Sequence, residues 1–255
     1  MKKVSHIIVS IIVLIAIWQI AVSFGNWNKA LFPSPLNVLE GFRELVADGI
    51  LIVSIKDSLF RFTIGYLIAA FIGVTLGLIL GWFRSAWSFV NPIVQLFRPI
   101  SPIAWLPFIV LWFGIGDLPA IVIIFIAAFF PILLTTVTAV GKLDQTYIKV
   151  AKNFGIKKFR MITKIVLPSA FPYIATGLHI ALGTAWVFLV AGEMVGAQTG
   201  LGYMIIDARN NLRADMLLAS IIVIGLIGLL LDSLIGLLEK SILNKCGFVA
   251  NERGT

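Results

Sequence analysis

The sequence predicts an all-α, polytopic membrane protein of about six transmembrane helices, and three observations predict it. The first is composition: of 255 residues, 60% are apolar and only 13% charged, about half the charged share of a soluble domain. A water-soluble fold would lack the polar surface to cover its exterior, and a disordered chain would be poor in apolar residues. The second is a set of six apolar stretches of 18 to 25 residues, the length needed to cross a hydrocarbon core about 30 Å thick. The third is the absence of the short alternating segments that a transmembrane barrel would require.

The first stretch, Ile7–Phe24, follows Lys2 and Lys3 and ends near Ala21-Val22-Ser23. Its apolar run is long for a secretion signal, so an uncleaved anchor is expected. Gly25–Ser58 is an exterior segment with Phe32-Pro33-Ser34-Pro35 and a short amphipathic stretch, Leu36–Val46. The second span, Leu59–Phe83, carries Gly65, Ala69, Gly73, Gly77 and Gly81 on one row, a ridge that lets a neighbouring helix come close. Phe89–Phe113 and Leu118–Val140 follow as third and fourth spans. Phe171–Val195 is the fifth, Gly196–Asp215 an exterior segment, and Met216–Leu238 the sixth. Four spans hold one charge each: Arg61, Arg98, Glu193 and Asp232.

The net charge is +8. With the N-terminus inside, interior segments hold 13 basic residues, seven of them between Lys142 and Lys164, and the exterior side holds six, counting Arg61 at the outer end of the second span. That asymmetry places both termini in the cytoplasm. The basic excess is thus an orientation signal and not a nucleic-acid surface. A single cysteine, Cys246, excludes an internal disulfide, and no Cys/His cluster offers a metal site.

Gly141–Pro168 is the informative cytoplasmic loop. Ile148, Ala151 and Phe154 lie at helical spacing, Gly155 interrupts, and Phe159, Ile162 and Val166 resume the pattern. A short helix, a glycine turn and a second helix ending at Pro168 are expected. Periodicity leaves two uses open: an amphipathic helix lying on anionic lipid, or a protruding helical pair that docks into another protein.

Spacing adds a resemblance. Lys149-Val150-Ala151, three residues, Gly155, nine residues, Ile165, one residue and Leu167-Pro168 resemble the cytoplasmic loop signature of ABC importer permeases. That signature reads Glu-Ala-Ala, then Gly, then Ile-x-Leu-Pro at the same spacing; Lys149 and Val150 stand where it has Glu and Ala. Ser58-Leu59-Phe60-Arg61, Pro99 to Pro107, Trp112–Gly116, Phe129–Ile132, Leu167–Gly177, Gly192-Glu193-Met194, Gly200–Tyr203 and Asp232 extend the likeness. Over nearly its whole length the chain resembles the permeases of nitrate, taurine, aliphatic sulfonate and bicarbonate importers, with His179 where that family often has Arg.

The resemblance implies a type I permease fold in a bacterial inner membrane. It implies a domain of residues 57–240, preceded by an anchor and external segment (1–56) and followed by a cytoplasmic tail (241–255). It implies partners: a second permease copy, ATP-binding cassette ATPase subunits docking on the loop, an external solute-binding protein, and lipid. The sequence has no GxxxxGK[ST] phosphate loop. ATP and Mg are therefore expected on the ATPase, with neither cofactor nor catalysis on this chain.

Within the fifth span, His179, Trp186 and Glu193 are spaced by seven, which keeps them within about 40° of one another; Gly183 and Val190 complete that face. Ionisable groups in spans commonly face water or protein, so this face is a candidate translocation path. The competing reading has Glu193 solvated at the interface and Trp186 packed. Arg98 and Asp232 are expected to pair and fix the bundle, with substrate contact as the alternative. A self-sufficient secondary transporter or channel is the alternative function, but it would show inverted repeats and discontinuous helices, and neither is clear. An intramembrane enzyme lacks HExxH and GxSxG motifs.

Overall fold

A computed structural model describes residues 2–24, 31–143, 153–154 and 158–245, and every regular element among them is helical. In chain order these are α1 (Lys2–Phe24), α2 (Pro35–Ala47), α3 (Ile50–Trp82), α4 (Arg84–Phe97), a 3-10 turn (Pro102–Trp105), α5 (Leu106–Phe113), α6 (Asp117–Gly141), α7 (Lys158–Met161), a π-helical turn (Ile162–Val166), α8 (Leu167–Gly196), α9 (Leu201–Asn210) and α10 (Ala214–Lys245). They form two compact units, one of residues 1–59 and 198–227, the other of 60–197 and 228–255.

Among the described residues, four helical stretches are long and apolar enough to cross a membrane, Ile50–Trp82, Asp117–Gly141, Ile162–Gly196 and Ala214–Ile242, and a bent pair makes a fifth if it is one span. Six were expected. The expected first span has an apolar helical run of Ile8–Phe24, just under that length. The expected third span, Phe89–Phe113, is interrupted: α4 and the segment Pro102–Phe113 meet at 81°. Hydropathy reports how apolar a segment is and nothing about its direction. The break falls among prolines. Ser101 precedes Pro102 and is extended, with ψ 133°, as the residue before a proline tends to be. A discontinuous helix, which the sequence did not reveal, is therefore present.

In the first unit, Pro35 opens α2 and Ser34 caps it, accepting from the Asn37 backbone while the Asn37 side chain answers the Ser34 backbone. Such reciprocal capping satisfies donors that a helix start leaves open. Ser34→Ala is expected to destabilise α2 by about 1 kcal/mol, read as faster amide exchange in the segment 35–40. The two stretches placed on one side of the membrane from sequence share an ion cluster: Arg213 bonds Glu44 at 2.6 Å and Asp215 at 2.8 Å. Hydrogen bonding from Arg213 holds the Glu44 carboxyl below the usual carboxylate range. The pair is thus intact at neutral pH and lost only as the pH falls through that lowered value. Leu201, at the start of α9, donates its backbone N–H to the buried Ser58 hydroxyl at 2.8 Å.

In the second unit, the glycine row of α3 meets a matching row on α6. A Cβ at Gly65, Gly73, Gly77 or Gly81 would lie 2.5–2.9 Å from Ile124, Ile132, Thr136 or Val140, respectively. Both rows repeat every four residues, so they mesh along several turns. Near the start of α6, α8 approaches through Gly192 and Gly196, which face Ala120 and Pro119. Gly114 closes α5 with φ +73°, a conformation that favours glycine. The following turn is pinned by Gly116 N–H donating to Gly196 O at 2.8 Å.

Pro168 does not end a helix. The chain continues from α7 into α8 through the π-helical turn, in which Leu167 N–H reaches back five residues to Ile162 O. Widening the turn accommodates a proline that has no N–H and whose ring crowds the preceding turn.

Candidate functional site

Lys149, Val150, Ala151 and Gly155 of the expected docking loop lie outside the described residues. Of its remaining signature, Ile165 is half-buried in the π turn, Leu167 is half-buried at the start of α8 and Pro168 is exposed. Phe154, between the two parts of the loop, is 79% exposed.

The five path candidates on α8 have different surroundings. Gly183 is exposed, with no neighbouring atom within 4 Å of where a Cβ would stand, and Val190 is half-buried. Trp186 is buried, edge-on to Phe62 at 5.5 Å and facing Gly228. Glu193 is fully buried and accepts from Arg61 Nη1 at 2.7 Å. Arg61, also buried, gives its Nε–H to Asp117 at 2.7 Å. This places Glu193 in an ion triad rather than in solvent at the interface. Asp117 stands in the first turn of α6, where the helix dipole favours an anion.

The expected Arg98–Asp232 pair is absent. Asp232 instead receives His179 Nε2 at 2.9 Å, and Glu239, one heptad on, meets His179 Nδ1 at 2.9 Å. Both carboxylates lie on one face of α10, within reach of a single imidazole. Glu239 had drawn no attention in the sequence because it sits at the polar end of its helix.

Arg98 is left to line open space. Two adjoining cavities of about 700 and 450 Å³ share Arg98, Leu134, Thr135 and Ile180. The larger adds Gln95, Thr138, Lys142, Tyr173 and Thr176; the smaller adds Ile100, Pro102, Thr184 and Phe188. The face of α8 that borders them is therefore Tyr173–Thr176–Ile180–Thr184–Phe188. Thr184 is turned about 160° from Trp186 by helix geometry. Threonines in apolar spans were the available signal for this face. The broken backbone at Ile100 and Pro102 lies against the same space, which suits the rule that non-helical backbone at membrane depth lines a cavity or is covered by protein.

Comparison with known proteins bears directly on this arrangement. Residues 73–244 match the family described as binding-protein-dependent transport system inner membrane component. The chain is 33% identical over 231 residues to the aliphatic sulfonates transport permease SsuC of Bacillus subtilis, covering 91% of this chain and 84% of that one. It is 35% identical over 247 residues to the nitrate import permease NrtB of a Synechocystis strain, covering 93% and 89%. A chain of the MetNI methionine ABC transporter, in an inward-facing conformation, shares the fold at a TM-score of 0.62 and 21% identity, over 77% of this chain and 96% of that one. The broken span, the meshed helices and the loop signature all fall within or beside the matched region, and the chain belongs to the inner membrane permease components of binding-protein-dependent ABC importers.

Proposed function

We propose that this permease carries a small oxyanion, of the nitrate or sulfonate kind, through the cavity between α4, α6 and α8. The observation that carries this reading is the broken span: a helix interrupted beside a cavity that holds Arg98 and Lys142 is costly in lipid and useful in a solute path. Relatives named for sulfonates and nitrate support the solute class. The path is placed on the Ile180–Thr184–Phe188 face. His179, Trp186 and Glu193 serve as joints between helices, with Gly183 and Val190 beside them.

The energy comes from ATP and Mg bound on separate ATPase subunits, since the sequence has no phosphate loop of its own. Two permease copies, two ATPases and an external binding protein make up the working assembly, with both termini of each permease in the cytoplasm. The ATPase docks on residues 141–168, where Phe154 offers an exposed aromatic anchor, and the helix running unbroken from the π turn into α8 carries its movement to the path.

Reconstitution with ATPase and binding protein tests this. Gly155→Pro or Ala151→Glu is expected to cut ATP-driven nitrate or sulfonate uptake at least tenfold, with insertion intact. Normal uptake by both variants would overturn the docking assignment. A discontinuous helix is expected equally of a rival, the self-sufficient secondary transporter. Uptake driven by an ion gradient without ATPase subunits would establish that rival.

A further inference from the structure

We infer that Arg98 and Lys142 together form an anion seat inside the larger cavity, which holds a singly charged oxyanion in transit. The inference rests on the importer reading and names the part of the path that recognises charge.

A guanidinium within an apolar span is costly unless something answers its charge. Among the described residues, ion pairs engage Arg61, His179 and Arg213, and neither Arg98 nor Lys142 has a carboxylate partner. Among the described residues, no acidic side chain lines the cavity they share. The nearest described acid contact is indirect: Thr176 on the cavity wall donates to Glu239, and Glu239 is already engaged by His179. Lys142 lies over the Tyr173 ring at 5.3 Å, an interaction that positions an ammonium without cancelling its charge. Arg98 caps the C-terminal end of α4, where the helix dipole favours a cation.

Of the other polar groups on the wall, the threonines are turned away and only neutral donors, on Trp87, Gln95 and Tyr173, stand beside the two cations. Thr135 and Thr138 donate their hydroxyls to Pro131 O and Leu134 O, each at 2.8 Å. Gln95 gives one amide hydrogen to Asn91 and keeps another. An oxyanion entering the cavity thus meets two positive charges and an amide donor, a set suited to a planar or pyramidal group of three oxygens. The volume of about 700 Å³ leaves room for water around nitrate or for the alkyl part of a sulfonate against Leu134 and Ile180.

A lipid headgroup phosphate offers the same chemistry. The shape of the space favours a travelling solute. Through shared walls, the two cavities follow α8 from Tyr173 to Phe188, about 22 Å at 1.5 Å per residue, whereas a headgroup site would sit at one depth.

The test uses the whole transporter, permease with ATPase and binding protein, in nanodiscs. Cys246 is replaced by Ser, Thr138→Cys is introduced, and its labelling by a water-soluble maleimide is timed. Sodium nitrate or sodium methanesulfonate is expected to slow labelling at least fivefold relative to chloride at equal ionic strength. Arg98→Gln and Lys142→Gln are each expected to abolish most of that protection, and Arg98→Lys to keep part of it. The seat is overturned if Thr138→Cys is never labelled, if neither oxyanion protects it, or if protection survives both Gln variants. It is overturned in favour of lipid if protection appears with phosphatidylglycerol alone and is absent in phosphatidylcholine. ATP-driven uptake by the wild-type complex reports separately on the importer reading: uptake without protection removes the seat alone, and protection without uptake removes the transport of that solute.

Discussion

Arg61→Ala is expected to destabilise the folded protein by about 3–5 kcal/mol, the usual cost of removing one partner of a buried charge pair. Glu193 is fully buried and Arg61 is 3% exposed, with 2.7 Å between their charged atoms. Removing the guanidinium strands a carboxylate in a low-dielectric core; removing both charges does not. Arg61→Met combined with Glu193→Leu should therefore recover most of the loss, while Glu193→Ala alone should resemble Arg61→Ala. Asp117 is more than half exposed, so Asp117→Asn should cost far less, in line with solvated pairs. Unfolding in mixed micelles measures all four. A loss under 1 kcal/mol for Arg61→Ala would show that the triad carries no structural weight.

Gly77→Leu is expected to prevent close pairing of α3 and α6. Even a Cβ there would stand 2.5 Å from the Cβ of Thr136 and 3.1 Å from the backbone oxygen of Leu133, and neither can move without shifting α6. Overfilling a packed core costs about 1–3 kcal/mol and sometimes more. In a membrane, apolar surface gained by the side chain offers no compensation, because lipid tails are equally apolar. The expected result is little folded protein recovered in detergent, with Gly77→Ala intermediate. Gly183→Ala and Gly225→Ala are the controls: neither Cβ would have a neighbour within 4 Å, and alanine favours a helix by about 1 kcal/mol. Equal recovery of Gly77→Leu and Gly183→Ala would dismiss the ridge.

That ridge was legible because its signal is local: five small residues four apart leave one face of a helix bare. The capped start of α2 was legible for the same reason, with serine and proline standing before an amphipathic run. The pairing of Arg61 with Glu193 was not, although both were visible as charges near one end of their spans. They are 132 residues apart, and helical spacing ranks faces without naming partners. A charge in a span is satisfied as well by an opposite charge as by water, so the ionisable stripe of α8 pointed to joints. Thr184 on the opposite face turns its hydroxyl to the Ile180 carbonyl, and a hydroxyl satisfied by its own helix leaves no sequence signal of water. Pro99, Pro102 and Pro168 were all in view. Their differing outcomes, a break in one place and a widened turn in another, depend on whether the backbone can add a residue to a turn.

The π turn at Ile162–Val166 also fixes a phase. A five-residue hydrogen bond stores one residue more than an α-helical turn, and each residue is worth about 100° of rotation. The angular setting of α7 relative to α8 is therefore encoded by a count of residues. Deleting Thr163 would let the segment close as ordinary α-helix and turn α7 by about a quarter turn relative to α8. In this stretch of chain, length is a specificity determinant in its own right.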